Sequence, residues 1–141
     1  MTNPMIRRIA AVDATIARFN GKPLKYGKDD CARMASFCLR KLGVRTPILK
    51  AGTYSSAVGA ARAMKRMGVK DLIEGMDLLG LPRIAPATAL PGDIFALPGE
   101  NNQPALAVAV GNGRVLGWWN PETGICAVVQ PLQYLAAWRS I

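Results

Sequence analysis

Two spacings of apolar residues divide this chain, and they limit what it can fold into. Near the start, Met5, Ile9, Val12, Ile16 and Phe19 recur at intervals of four and three. That is the repeat of one apolar helix face. From residue 93 onward the apolar residues come instead as short unbroken runs, "DIFAL", "PALAVAV" and "ICAVV", separated by turn residues. Runs of that length between Gly, Pro and Asn read as strands. Helices first and strands afterwards predict an α+β domain rather than alternating βαβ units.

The helical half spans 1–76. Asn3 caps the first helix, with Pro4 at its first position and Arg7, Arg8 and Arg18 expected off the apolar stripe. A second helix opens at Asp29 or Asp30 and closes at Gly43. Its stripe is Cys31, Met34 or Ala35, Cys38 and Leu42, with Arg33, Ser36 and Arg40 opposite. "VRTPILKAGTY" (44–54) is a loop, a third helix runs from about Ser55 to Met67, and a short helical piece lies around Asp71–Met76. "LGLPRIAPATALPG" (79–92) is a proline-rich connector. The antiparallel strands fall within 90–130, with Asn112-Gly113 as a tight hairpin turn. "PLQYLAAW" (131–138) is expected as a final short helix, with Pro131 in its first turn.

At 141 residues the chain fits a single domain, 1–141. Half its residues are hydrophobic and 19% are charged, too apolar for a disordered chain. No apolar run is long enough to span a bilayer. The start lacks the order of a signal peptide, so the product is expected to be made in the cytoplasm.

The charge is lopsided. Residues 1–50 carry eleven Lys+Arg against three Asp+Glu, whereas 51–141 carry seven against six. A basic half is drawn to an acidic protein face, to nucleic acid or to an anionic wall polymer; a solvated basic face is the plainer account. Aromatics are few, at 6%, and not interleaved with the basic residues, which weighs against a nucleic-acid-binding module.

Cys31, Cys38 and Cys126 are an odd set without paired metal spacing, and the chain contains no histidine. No metal site and no cofactor is expected. Cys31 nonetheless stands where a helix begins, and the positive end of a helix favours a thiolate nucleophile. Core packing is the competing reading, since cysteine is among the most buried residue types. Trp118 and Trp119 are adjacent on a strand and point to opposite faces. One of them is a candidate binding anchor.

"YGKDDCARMASFCLRKLGV" (26–44) resembles the nucleophile segment of the NlpC-type, papain-like cysteine peptidases of the cell wall. "LPGDIFAL" (90–97) resembles their Pro-Gly-Asp strand start, and "ALAVAVGNGRVLG" (105–117) their histidine strand. The resemblance implies a papain-like fold, with N-terminal helices packed on a C-terminal antiparallel sheet. It places the nucleophile at Cys31, its acidic neighbour at Asp30, the turn tyrosine at Tyr26 and the structural aspartate at Asp93. The histidine position falls on Ala105, and the third polar position near Leu116 or Gly117. Loss of the base removes roughly 100- to 10,000-fold in rate. Lys25 or Lys28 is the only nearby substitute base.

The chain also resembles short bacteriophage tail-tip and baseplate relatives of this family, which tend to end in a segment like Ala137-Trp138-Arg139. That resemblance implies a virion component: a pseudoenzyme docked through its basic half to acidic faces of other tail proteins. The alternative is an active amidopeptidase that cuts peptidoglycan during DNA entry.

Overall fold

In a computed structural model, residues 3–47, 56–99, 102–118 and 124–141 are described. Four helices precede the sheet: α1 (Pro4–Phe19), α2 (Cys31–Lys41), α3 (Ala57–Arg66) and α4 (Leu72–Asp77). Each begins at a side-chain cap. Asn3, Asp30, Ser56 and Asp71 accept backbone N–H groups of the first turns of α1 to α4 in that order. Gly43 ends α2 at φ +84, while Val44 N–H reaches back to Leu39 C=O at 2.9 Å. Only glycine adopts that left-handed turn without strain.

Five strands follow: β1 (Ile94–Pro98), β2 (Pro104–Gly111), β3 (Arg114–Trp118), β4 (Cys126–Val129) and β5 (Ala136–Trp138). They lie in the order β4-β3-β2-β1-β5, with all neighbours antiparallel. Asn112 and Gly113, both at positive φ, make the expected two-residue turn between Gly111 and Arg114. The family of folds anticipated from the sequence, α+β with helices before the sheet, is the one observed.

The C-terminal helix expected over 131–138 is absent. Ala136, Ala137 and Trp138 instead pair with Ala96, Phe95 and Ile94 as an edge strand. Helix propensity is a weak preference, and an open edge of β1 offers a full set of backbone partners. Leu132, wholly exposed, precedes this strand.

The sheet is covered on both faces. Leu106, Val108 and Leu116 meet α1 and α2 residues such as Val12, Phe19, Met34 and Leu39 in the main core. Phe95, Leu97, Ala107, Ala109 and Val115 pack on the other face beneath Ile84, Ala89 and Tyr134. The 79–92 connector therefore serves as the second cover layer. Both sheet edges are closed as well. Gly21 and Lys22 bond to Cys126 along β4, and Pro82 and Ile84 bond to Arg139 and Ala137 along β5. Closed edges suppress pairing with other chains.

Four residues depart from the expected helix faces. Arg8 is buried, at 2% exposure, while Met5 and Ile9 are 40% and 47% exposed. The buried face of α1 is Arg8, Ala11, Val12, Thr15 and Phe19. On α2, Ser36 is buried rather than outward, its hydroxyl hydrogen-bonded to that of Thr46.

Candidate functional site

The site is built on the entry to α2. A tight turn brings Lys25 N–H to Asp29 C=O at 2.9 Å and Asp29 N–H to Lys25 C=O at 2.8 Å. Gly27 sits in this turn at φ +84. The Asp30 carboxylate spans turn and helix: Oδ1 accepts Arg33 N–H at 2.8 Å and Oδ2 accepts Gly27 N–H at 2.7 Å. Asp30 is 3% exposed, with each oxygen already engaged. Its neighbour Asp29 is buried beside Arg18, whose Nη1 stands 2.9 Å from Oδ1 as an ion pair outside hydrogen-bond alignment. Tyr26 is half-buried in the same turn and makes contacts of its own.

Cys31 is the first residue of α2. The residue is half-buried and packs against the main core. Burial pushes the thiol up from 9.0 to about 11, and the Asp30 charge pushes the same way. The backbone of Leu106 and the first backbone groups of the helix favour the thiolate, but only in part offset the burial. The helix end is thus present and outweighed: removing a thiolate from water costs more than one helix terminus returns.

Leu106 on β2 is the sheet residue whose backbone reaches the sulfur. Ala105, just before it, is half-buried and shares its strand face with Ala107 and Ala109, the face of the sheet away from α1 and α2. Leu116 is fully buried in the helix-side core and Gly117 is buried beside it. Lys25 and Lys28 are both exposed.

The two other cysteines are core residues. Burial raises Cys38 to about 11 and Cys126 to about 12. Cys126 Sγ lies 4.0 Å from Met34 Sδ. Among the described residues no group of three His, Cys, Asp or Glu is placed to hold a metal ion. No described helix is long and apolar enough to cross a membrane.

Trp118 is half-buried, stacked edge-on against Phe19, and its indole N–H donates to Lys22 C=O at 2.9 Å. Its polar end is spent on tying β3 to the link after α1. Trp119 lies outside the described residues.

The arrangement that residue spacing failed to single out is around Asp93, which opens β1. Its two oxygens accept from Arg8 Nη1, Arg139 Nη1, Leu90 N–H, Ser140 N–H and Ser140 Oγ. Arg8 also donates to the carbonyls of Pro91 and Ile141. Gly92, at φ +90, lets this turn approach the helices; a Cβ there would meet Leu42 Cδ1 at 3.1 Å. The clue in the sequence was a second stripe, Arg8, Val12, Thr15 and Phe19, with the same four-three spacing as the expected one.

Solved structures of similar shape come from a named group. NlpC2 from Trichomonas vaginalis superposes with a TM-score of 0.56 at 14% identity, over 95% of this chain and 47% of that one. An NlpC/P60 family protein from Bacillus cereus gives 0.58 at 13% identity, over 94% and 40%. NlpC1 from T. vaginalis gives 0.52 at 16%, over 94% and 43%. The chain spans less than half the length of each. At such identities the likeness establishes the fold, which is NlpC-like and papain-like. No curated protein sequence matches the chain. A family model described as "Domain of unknown function (DUF6950)" matches residues 7–140, and the chain belongs to that family.

Proposed function

We propose that this domain is a catalytically silent NlpC-like fold and acts as a structural component of a bacteriophage tail tip or baseplate. The observation that carries the silent half of this reading is the state of Cys31: its thiol is held neutral by burial, at about 11, in a chain without histidine. A thiol nucleophile needs an adjacent base or a depressed pKa, and among the described residues Cys31 has neither. Asp30 is consumed as a cap and turn brace. The tail-tip half rests on the resemblance to short phage relatives and on the basic N-terminal half, which suits docking to acidic neighbours. The Ala137-Trp138-Arg139 segment that carries part of that resemblance has a structural duty here, in β5 and on Asp93.

The test is a Cys31→Ala substitution in the phage that carries the gene. Particle assembly and infectivity are expected to be unchanged. An infectivity loss with normal particles would overturn the reading.

One observation favours the other reading, a peptidoglycan amidopeptidase: Cys31 occupies the opening position of α2, where the helix end faces the sulfur. Incubation of the pure protein with peptidoglycan decides between the two. Release of stem peptides that disappears with Cys31→Ala would establish the enzyme, including one completed by a histidine from a partner.

A further inference from the structure

From Cys31 to Lys70 the chain carries nine Lys and Arg and no Asp or Glu. Within this acid-free stretch, the C-terminal end of α2 and the turn after it form an open cleft of about 570 Å³, lined by Arg40, Gly43, Val44, Arg45, Thr46 and Pro47. Arg40 and Arg45 are exposed and have no salt-bridge partner among the described residues. Arg7, from α1, lies outside the lining: its Nη2 donates to Leu42 C=O at 3.0 Å and stands 3.9 Å from the Cβ position of Gly43.

Helix-dipole compensation accounts for part of this charge. Arg40 and Lys41 sit in the last turn of α2, where cations are favoured. It accounts for Arg7 too, whose guanidinium bonds the Leu42 carbonyl at the end of α2, but not for Arg45, which lies beyond the helix. The cleft is also braced: the Thr46 hydroxyl is held by Ser36 in the core, and Gly43 closes the helix through a fixed left-handed turn. A braced concave surface lined by two guanidiniums without a salt-bridge partner among the described residues suits carboxylates, which match the guanidinium fork with two parallel hydrogen bonds.

We propose that this cleft docks an acidic segment of a partner protein, with Arg40 and Arg45 as the carboxylate-binding residues. The proposal rests on the reading of the domain as a docking component. A peptide is favoured over a nucleic acid by the lining. Among the described residues no aromatic side chain lines the cleft to stack a base, whereas Val44 and Pro47 give aliphatic surface beside the charges.

The test uses the full chain and a fluorescent peptide of alternating Glu and Leu, followed by anisotropy at about 150 mM salt, where long-range attraction is largely screened. Saturable binding is expected. The R40Q/R45Q pair should weaken it about tenfold, as expected for loss of two charge-assisted contacts. Arg62→Gln with Lys65→Gln removes the same charge from exposed positions of α3 and should change binding less than about twofold, within what screened surface charges contribute. Arg45→Gln alone, outside any helix, serves where the double variant melts early.

Equal losses from the two double variants would overturn the proposal, as would the absence of saturable binding. So would a single-stranded oligonucleotide that binds tighter than the peptide and is lost with the same residues. None of these failures touches the silent-domain reading, which is decided by peptidoglycan turnover and by Cys31→Ala.

Discussion

Arg8 Nη1 lies 2.9 Å from Asp93 Oδ1, across 85 residues of chain, with the two side chains only 3% and 0% exposed. This contact joins the first helix to the first strand. Through Arg139 and Ser140 it also joins both to the end of β5. Removing one partner of a buried ion pair strands the other charge, at a cost of about 3–5 kcal/mol. Asp93→Asn strands two guanidiniums and should sit at the top of that range. Arg8→Met leaves Asp93 with Arg139 and should sit at the bottom. Urea denaturation of the two variants checks the order; equal midpoints would contradict it.

Cys31 should be unreactive at neutral pH. With a thiol at about 11, roughly one part in ten thousand is thiolate at pH 7. Labelling of native protein by a disulfide reagent should be slow at pH 7, rise about tenfold per pH unit towards 11, and become fast on adding urea. Rapid labelling at pH 7 without denaturant would show that the sulfur is reached and activated.

Cys38 and Cys126 make stability fall in alkali. Their folded values, about 11 and about 12, lie above the ordinary 9.0. The unfolded chain therefore loses these protons first. Stability is intact below pH 9 and declines as pH rises through 9 towards 11 and 12. Thermal melting from pH 8 to 11 should show a steeper decline in the parent than in a Cys38→Ala, Cys126→Ala variant. Parallel slopes would rule out the thiols as the cause.

The Asp77–Arg83 pair acts in acid. Arg83 grips Asp77 with two hydrogen bonds of 2.8 Å, and the Trp138 indole N–H adds a third at 2.9 Å. The Arg83 guanidinium holds the Asp77 carboxyl below its ordinary 3.8. Its contribution is present above pH 3.8 and lost as pH falls through the lowered folded value. Both side chains are more than a third exposed, so Arg83→Ala should cost no more than about 1 kcal/mol at pH 7. The difference from the parent should vanish at strongly acid pH, as read by urea midpoints.

Trp118→Phe should cost about 1 kcal/mol, the net worth of the lost indole hydrogen bond to Lys22 C=O. Lys22 C=O keeps Cys126 N–H as a donor, so no buried acceptor is orphaned. A loss of partner binding at unchanged melting temperature would instead mark Trp118 as an anchor.

Local features were legible in the sequence. Asn3, the Asp29-Asp30 pair from which the structure takes Asp30 as the cap, the Asn112-Gly113 turn and the position of β2 follow from caps, turn chemistry and short apolar runs, all decided within a few residues. Cys31 at the start of α2 is legible for the same reason. The Ala136–Trp138 strand was not, because its partner is β1, forty residues earlier in the register of Ala96 with Ala136. The cleft at Arg40 and Arg45 was only half visible: the charge could be counted, but the concave surface that carries it depends on how the turn after α2 folds back, with Thr46 held by Ser36.

The sequence by itself determined the order of the helices and the first four strands, the caps and turns among them, the basic bias of the first half and the lack of any imidazole. Those properties depend on residue type and near neighbours. Only the tertiary structure decided that Arg8 turns inward while Met5 and Ile9 face water, that the last segment closes the sheet, and that Cys31 packs against the core beside β2. Burial is a property of what lies opposite, and for these residues what lies opposite comes from the far half of the chain.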